Sequence, residues 1–476
     1  MRKESPEVVF VINCSLWYKP MYPSGILFLA AYLRQQGISC EILDSALSRK
    51  TIAPGDRDRL VLEAIQARKP KIVCFSASHI ELAEVRGIHK KLREMDRSVI
   101  TIVGGPQPTY RPDDFLGCGF DYVCYGEGEK TLRDFVMEAR KAQPDWAGIS
   151  GLIWKNGDTI VRNSPRALMT EAELNSLPLP AYDLIDKRYF TTNAGLIRGL
   201  PLRGAMVLTT RGCPYNCSFC GCNLIFGRQL RLKSLENIEK EISYLKNEHR
   251  IEGLWIIDDT FTINRKHLNG VSEILRRHDV VWGCQSRVNT IDEEMIKVMK
   301  RSGCRQIDFG VESGSQRVLD EIIQKKITIE QVVKAFDLAR KYHIRTLANF
   351  MIALPTETLD EFEMTKKLAD RIKADVYIFS IATPLPGTKL YDMVGVEITP
   401  DDYNKLNWIG SPLTKKLNKS EIADPVAARN ALQKSFYLRS LIRSFFSLDD
   451  LIFFLSHGSK LQKIACLFRY LKRIFE

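Results

Sequence analysis

Three thiols fall within eight residues in Cys213-Pro-Tyr-Asn-Cys217-Ser-Phe-Cys220, and a fourth follows at Cys222. The loop leaves an apolar run, AMVLTTRG, that reads as a strand. Thiolates this close on one loop can wrap a compact metal centre. A fully ligated iron–sulfur cube takes four cysteines, so three would leave one iron open for chemistry. Zinc is the alternative. Zinc sites usually combine two ligand pairs, and a single short CxxxCxxCxC loop makes a poor tetrahedron. The other cysteines stand singly, most in apolar runs such as KIVCFSAS around Cys74. A free buried cysteine packs as a small hydrophobe. A cysteine cluster in a reducing compartment points to metal rather than to disulfides.

Further polar residues lie where apolar runs end. Asp258 and Asp259 end GLWIIDDT, Arg287 ends VVWGCQSR, and Glu312-Ser313 end RQIDFGVES. Nearer the N-terminus, Ser76 and Ser78 follow one apolar run and Gly104-Gly105 a second. Gly126, Glu127 and Gly128 follow a third. Ligands of parallel sheets bind beyond the carboxyl ends of the strands, so these are candidate contacts. The glycines could equally serve only as turns.

These residues need a frame. Over residues 7–140, EVVFVINC, ISCEILDS, KIVCFSAS, SVITIVGG and FDYVCYGEG read as strands buried on both faces. Segments of helical period lie between them, and the first stops at Gly37. Strand–helix alternation implies a doubly wound parallel sheet. GLIWKNGDTIVRN reads as a hairpin turning at Asn156-Gly157. A linker rich in proline follows, with Pro178 and Pro180. From residue 205, six strand–helix units suggest an open sheet or a partial barrel, whose chemistry would sit at the strand C-termini. We expect an α/β chain with an N-terminal unit over 1–145 and a hairpin and linker over 146–200. A (β/α)6 barrel should span 201–395 and a helical basic region 396–476.

The 476 residues can bury a large core, and 45% hydrophobic with 26% charged residues excludes disorder as the main state. The net charge of +12 permits an anionic partner, but no nucleic-acid module is recognisable, so none is expected as a partner. No apolar run approaches the roughly 20 residues of a spanning helix. MRKESPEVVFVINC lacks a signal-peptide core. The expected location is the cytoplasm. In the tail, Leu438, Leu441, Ile442, Phe445 and Phe446 recur on one helix face. KLQKIACLFRYLKRIFE is basic and amphipathic. Such helices either dock on their own protein or lie peripherally on an anionic membrane.

The CxxxCxxC loop, with Phe219 before its last cysteine, leaves the first strand of a six-unit domain. It resembles that of the radical S-adenosylmethionine (SAM) superfamily. PSGILFLAAYLRQQGISCEILDS, VGGPQPT and DYVCYGEGEKTL are similar to the flavodoxin-like cobalamin-binding domain fused to one branch of it. The resemblance covers the whole chain. It implies that Cys213, Cys217 and Cys220 ligate a [4Fe-4S] cluster whose fourth iron chelates SAM. Reductive cleavage of SAM, fed by an external flavodoxin- or ferredoxin-type donor, would give a 5′-deoxyadenosyl radical. Asp258 and Asp259 lie where that family contacts the methionine ammonium, although one of the pair could instead cap the following segment. Arg287, Glu312 and Ser313 would hold the SAM carboxylate and ribose, and Phe219 would lie beside the adenine. Arg287 could instead form a salt bridge in the barrel mouth. The resemblance further implies methyl transfer to an unactivated carbon or phosphorus of a small-molecule or lipid substrate.

Other relatives close rings or rearrange skeletons. Methylthiotransferases carry a second cluster on three N-terminal cysteines, for which Cys14, Cys40 and Cys74 have a superficially suitable spacing. Cobalamin proteins with a histidine beneath the cobalt use DxHxxG. None of the seven histidines fits it. His267 lies in RKHLNG, with arginine for the aspartate. His79, in SASHIELAEV, lacks both aspartate and glycine and reads as a polar residue beginning a helix. A cobalt without a protein histidine is therefore expected.

Overall fold

The computed structural model describes residues 5–12, 23–44, 54–191, 202–445 and 455. Seven strands form the first sheet: β1 (Val8–Ile12), β2 (Cys40–Asp44), β3 (Ile72–Ser76), β4 (Ile100–Gly104), β5 (Tyr122–Cys124), β6 (Leu152–Asn156) and β7 (Thr159–Arg162). Their spatial order is 2-1-3-4-5-6-7. The first five are parallel. Every residue of β1 is buried, because helices cover both faces; that is why the run is continuously apolar. The order 2-1-3-4-5 is the flavodoxin-like one, which reverses direction at β1 and opens a crevice between β1 and β3.

The hairpin expected at Asn156-Gly157 forms, with Gly157 at φ +60°. It is not part of a detached linker. β6 pairs antiparallel with β5, so the hairpin extends the first sheet.

The second sheet contains β8 (Gly204–Val207), β11 (Gly253–Ile256), β12 (Val281–Ser286), β13 (Cys304–Glu312), β14 (Arg345–Ile352) and β15 (Val376–Ile381), in that spatial order and all parallel. It is an open, partial barrel with β8 and β15 at its edges. The apolar run AMVLTTRG breaks into two strands, β8 and the short β9 (Thr210–Arg211), which pairs antiparallel with the short β10 (Arg231–Leu232) to close the base of the cysteine loop.

One apolar cluster runs from the first sheet (Phe10, Cys74) into the barrel (Ile256, Phe309, Phe379). The opposite face of the first sheet is covered partly by residues following the barrel, among them Ile398, Tyr403 and Leu406. The region expected to be a helical tail thus begins as a brace. Tyr403 is fully buried and donates to Asp114 at 2.8 Å. The helix Pro425–Phe445 then lies along β15. The side chains of Leu441, Ile442 and Phe445, as well as Phe446 and the last basic helix, lie outside the described residues. Among the described residues no helix is long and apolar enough to cross a membrane.

Candidate functional site

The cysteine loop sits at the barrel mouth, beyond the carboxyl end of β8. Its backbone is pinned from two sides. The Ser218 N–H donates to Ile323 O at 2.8 Å and its hydroxyl to Ile322 O at 2.6 Å. The Leu390 N–H donates back to Ser218 O at 2.8 Å. A Cβ on Gly221 would fall 1.9 Å from the Tyr110 hydroxyl. Only glycine lets the loop approach this residue of the first unit so closely.

Cys213, Cys217, Cys220 and Cys222 all line one cavity of about 490 Å³. Of these four thiols, Cys217 accepts from Arg287. Cys222 differs, because its thiol donates to Asp259 Oδ2 at 2.7 Å. Burial pushes the Cys213 and Cys220 thiols above their ordinary value, so each keeps its proton until a metal displaces it. Arg287 Nη1 donates to Cys217 Sγ at 3.3 Å, and its guanidinium lies 3.6 Å from the Tyr215 ring centre. No group of three His, Cys, Asp or Glu is gathered on a single metal ion among the described residues. Three thiolates spread on one glycine-permitted loop beside an arginine fit a [4Fe-4S] cluster.

The other candidates divide. Phe219, Asp259, Arg287 and Glu312 line the same cavity. Glu312 accepts from Lys325 at 2.5 Å, and both are buried. Gly310 makes room for this pair, since a Cβ there would stand 2.3 Å from Glu312 Oε1. Asp258 does not line the cavity. It is fully buried and accepts from Thr209 N at 2.6 Å, Thr209 Oγ1 at 2.5 Å and Thr210 N at 3.1 Å. The expected ammonium contact is corrected to a clamp on the β8–β9 corner. Ser313 is likewise turned inward, toward the Thr365 hydroxyl at 3.3 Å. Its expected SAM contact is corrected for the same reason. Lys325, Tyr110 and Trp408 were missed. They approach the cysteines from beside Glu312, from the first unit and from beyond the barrel, and no sequence spacing links them.

A second cavity, about 390 Å³, opens at the carboxyl ends of β3, β4 and β5. Ser76, Gly104, Gly105, Gly126 and Glu127 line it, as does Gly128. Gly105 has φ +102°, and a Cβ there would press on Ala77 O and Ser76 Oγ at 3.0 Å. Ser78 is not in its wall. Its N–H and hydroxyl donate to Glu81 at 2.8 and 2.7 Å, closing a capping box, so its expected ligand role is corrected to capping. Glu127 faces the cavity with its carboxylate already engaged by Arg211 at 3.0 Å, Arg231 at 2.8 Å and Met169 N at 2.8 Å. Apart from the Glu127–Arg211–Glu129 cluster, Ser24 and Ser76, the walls are glycine backbone and apolar side chains (Phe10, Phe28, Ile102), which fits the aromatic base at the end of a corrinoid's nucleotide arm.

The cysteine loop contributes to both cavities. Cys213 to Asn223 line the first, and Ile225 and Phe226 the second. The end of β3 does the same, with Ser76 in one and His79 in the other. Cys40 and Cys74 are buried in the core, and Cys14 lies outside the described residues.

Comparison with known proteins gives two family matches. Residues 207–369 match the radical SAM superfamily and residues 15–136 the B12 binding domain. An uncharacterized methyltransferase of Pyrococcus horikoshii is 33% identical over 78% of this chain and 78% of its own length. The chain belongs to the cobalamin-binding branch of the radical SAM superfamily. Other radical SAM relatives differ in name. A putative methylthiotransferase of Methanocaldococcus jannaschii is 31% identical over 80% of each chain. An anaerobic magnesium-protoporphyrin IX monomethyl ester cyclase of Rubrivivax gelatinosus is 26% identical over 85% of this chain and 72% of its own. The solved radical SAM methyltransferase TsrM of Kitasatospora setae shares the fold, with a TM-score of 0.68 at 19% identity. That match covers 82% of this chain and 74% of TsrM.

Proposed function

We propose that this chain is a cobalamin-dependent radical SAM methyltransferase acting on an unactivated carbon or phosphorus of a small-molecule or lipid substrate. One observation carries the reading. A single loop bears the three thiols and lines both the barrel-mouth cavity and the glycine-walled slot of the B12 binding domain. Two cofactors held there would face one substrate.

Cys213, Cys217 and Cys220 hold the cluster, and the slot lined by Ser76, Gly104, Gly105 and Gly126 takes the nucleotide arm of cobalamin. Bound together, cluster, SAM and cobalamin supply a substrate radical and a methyl group, and an external flavodoxin- or ferredoxin-type donor supplies the electron. The chain's own residues bind and orient. Arg287 faces the cluster and supplies positive charge for the SAM carboxylate. Asp259, one of three carboxylates in the cavity with Asp308 and Glu312, faces the ammonium. Glu312, fixed by Lys325, accepts from the ribose. Phe219 lies beside the adenine. The close approach of Gly221 to Tyr110 holds the cysteine loop against the first unit. Contact of the basic C-terminal segment with a membrane belongs to the same proposal, for a lipid substrate.

The test is anaerobic purification with cluster reconstitution. About four irons per chain are expected, together with bound corrinoid by mass spectrometry. Replacing Cys213, Cys217 and Cys220 by Ala should abolish both iron binding and SAM cleavage, whereas Cys222→Ala should retain them. Loss of the cluster from Cys222→Ala alone would refute the ligand assignment. About eight irons would favour a methylthiotransferase.

A further inference from the structure

His79 stands apart from the other histidines. Of the described ones, it alone lines either cavity of the site. His89 stacks on Phe120 at 3.8 Å, and His249 on Phe190 at 3.9 Å. His267 meets Thr209 at 3.1 Å and His278 meets Ser243 and Glu239. His343 is exposed at the end of a barrel helix. His79 is the first residue of the short turn His79–Glu81, three positions beyond the end of β3. Its ring lies 6.2 Å from that of Trp408, which closes the cavity from beyond the barrel.

Its Nε2 is buried and has no hydrogen-bond partner among the described residues; His89 Nδ1 and His249 Nε2 share this, but neither residue lines a cavity of the site. A buried imidazole nitrogen left unpaired is costly, and it calls for a partner the protein does not provide. Burial also lowers its affinity for protons, to a pKa of about 4. The ring is therefore neutral at working pH, with a lone pair on one nitrogen. A neutral imidazole is the commonest metal ligand among side chains.

The location says which metal. Ser76 is in the wall of the slot, and His79 is in the wall of the barrel mouth. A corrin whose arm entered the slot and whose ring reached toward the barrel mouth would pass the turn between them. Its face toward the B12 binding domain would then meet the turn that carries His79. We infer that His79 is an axial cobalt ligand on this face, supplied without DxHxxG and from the end of β3. The inference rests on cobalamin binding as proposed above. It departs from the sequence expectation of a cobalt without a protein histidine.

The test uses the full chain, uniformly labelled with nitrogen-15, loaded with unlabelled hydroxocobalamin and reduced to Co(II). A protein nitrogen on cobalt splits the high-field electron paramagnetic resonance lines into doublets. The nucleotide base of unlabelled cobalamin would split them into triplets. Doublets in the labelled chain and triplets in the unlabelled chain are expected. His79→Ala should remove the splitting, and added imidazole should restore it. The Co(II)/Co(I) couple should move to a more positive potential in His79→Ala, since an axial donor opposes reduction to Co(I). Bound corrinoid with unsplit lines, or triplets in the labelled chain, would overturn the assignment alone. Failure to bind corrinoid would overturn the cobalamin reading with it.

Discussion

Asp258 and Asp259 are adjacent in sequence and opposite in role. Asp259 faces the cavity, while Asp258 ties down Thr209 and Thr210. Burial pushes the Asp258 carboxyl up to about 6. A group that holds its proton more tightly in the native state favours folding at low pH. Its contribution is complete below the unfolded value near 4, declines as pH rises, and levels off above about 6. The difference corresponds to about 3 kcal/mol. His267, bonded to Thr209, works in the opposite sense, because burial lowers its pKa to about 4. Comparison with a variant isolates the aspartate. Asp258→Asn should flatten the fall in urea midpoint between pH 4 and pH 7, and equal slopes in both proteins would refute this. Asp259→Asn should leave the urea midpoint unchanged. It should weaken SAM binding at least about tenfold, the worth of a charge-assisted hydrogen bond, measured by equilibrium dialysis. The cysteine motif was legible in the sequence because all its ligands lie on one loop. Which aspartate faces the cavity was not, since the geometry of the strand end decides it and not the residue type.

At the level of elements, strands were read correctly wherever they were long and continuously apolar. β9 and β10 were not, because each has only two residues and owes its existence to the loop between them. The helix Pro425–Phe445 shows what an amphipathic pattern can settle. Its apolar face reads from sequence, but its partner does not. It lies on β15, an edge strand with no neighbour strand on its outer side among the described residues. Gln433 reaches both Phe379 N at 3.1 Å and Tyr377 O at 2.9 Å, and Arg429 donates to Phe379 O at 3.0 Å. Phe436 packs against the Tyr377 and Phe379 rings, 4.7 and 5.3 Å between centres. Side chains thus stand in for a missing neighbour strand. Phe436→Ala should cost about 3–5 kcal/mol. Gln433→Ala should cost only about 1 kcal/mol but should promote self-association through the uncovered edge. Sedimentation velocity after mild heating measures this, and a monodisperse Gln433→Ala would show that the helix backbone alone shields β15.

For the whole molecule, the decisive contact lies between units that the sequence presents as separate domains. Glu127 and Glu129 follow β5 in the first sheet, while Arg211 and Arg231 belong to β9 and β10 at the base of the cysteine loop. All four are buried, with side chains no more than 7% exposed. Arg211 bridges the two glutamates at 3.0 and 2.6 Å, and Arg231 joins Glu127 at 2.8 Å. Arg231 also donates to Phe226 O at 2.7 Å, fixing the far end of the cysteine loop. The residues are separated by about a hundred positions in the chain and no spacing rule pairs them. Their burial also makes the network asymmetric under mutation. Removing one carboxylate strands a buried guanidinium and should cost about 3–5 kcal/mol, whereas replacing both partners with apolar residues can be nearly neutral. Glu127→Met should therefore destabilise the chain and weaken corrinoid binding, because Glu127 and Arg211 form one wall of the slot. Adding Arg231→Met should recover much of the lost stability, while Arg211 keeps Glu129. Corrinoid affinity should not recover with it, since the wall remains altered. Thermal melts of the cofactor-free chains and dialysis with cobalamin separate the two effects. Additive losses of stability in the double variant would show that the charges do not act as a pair across the two units.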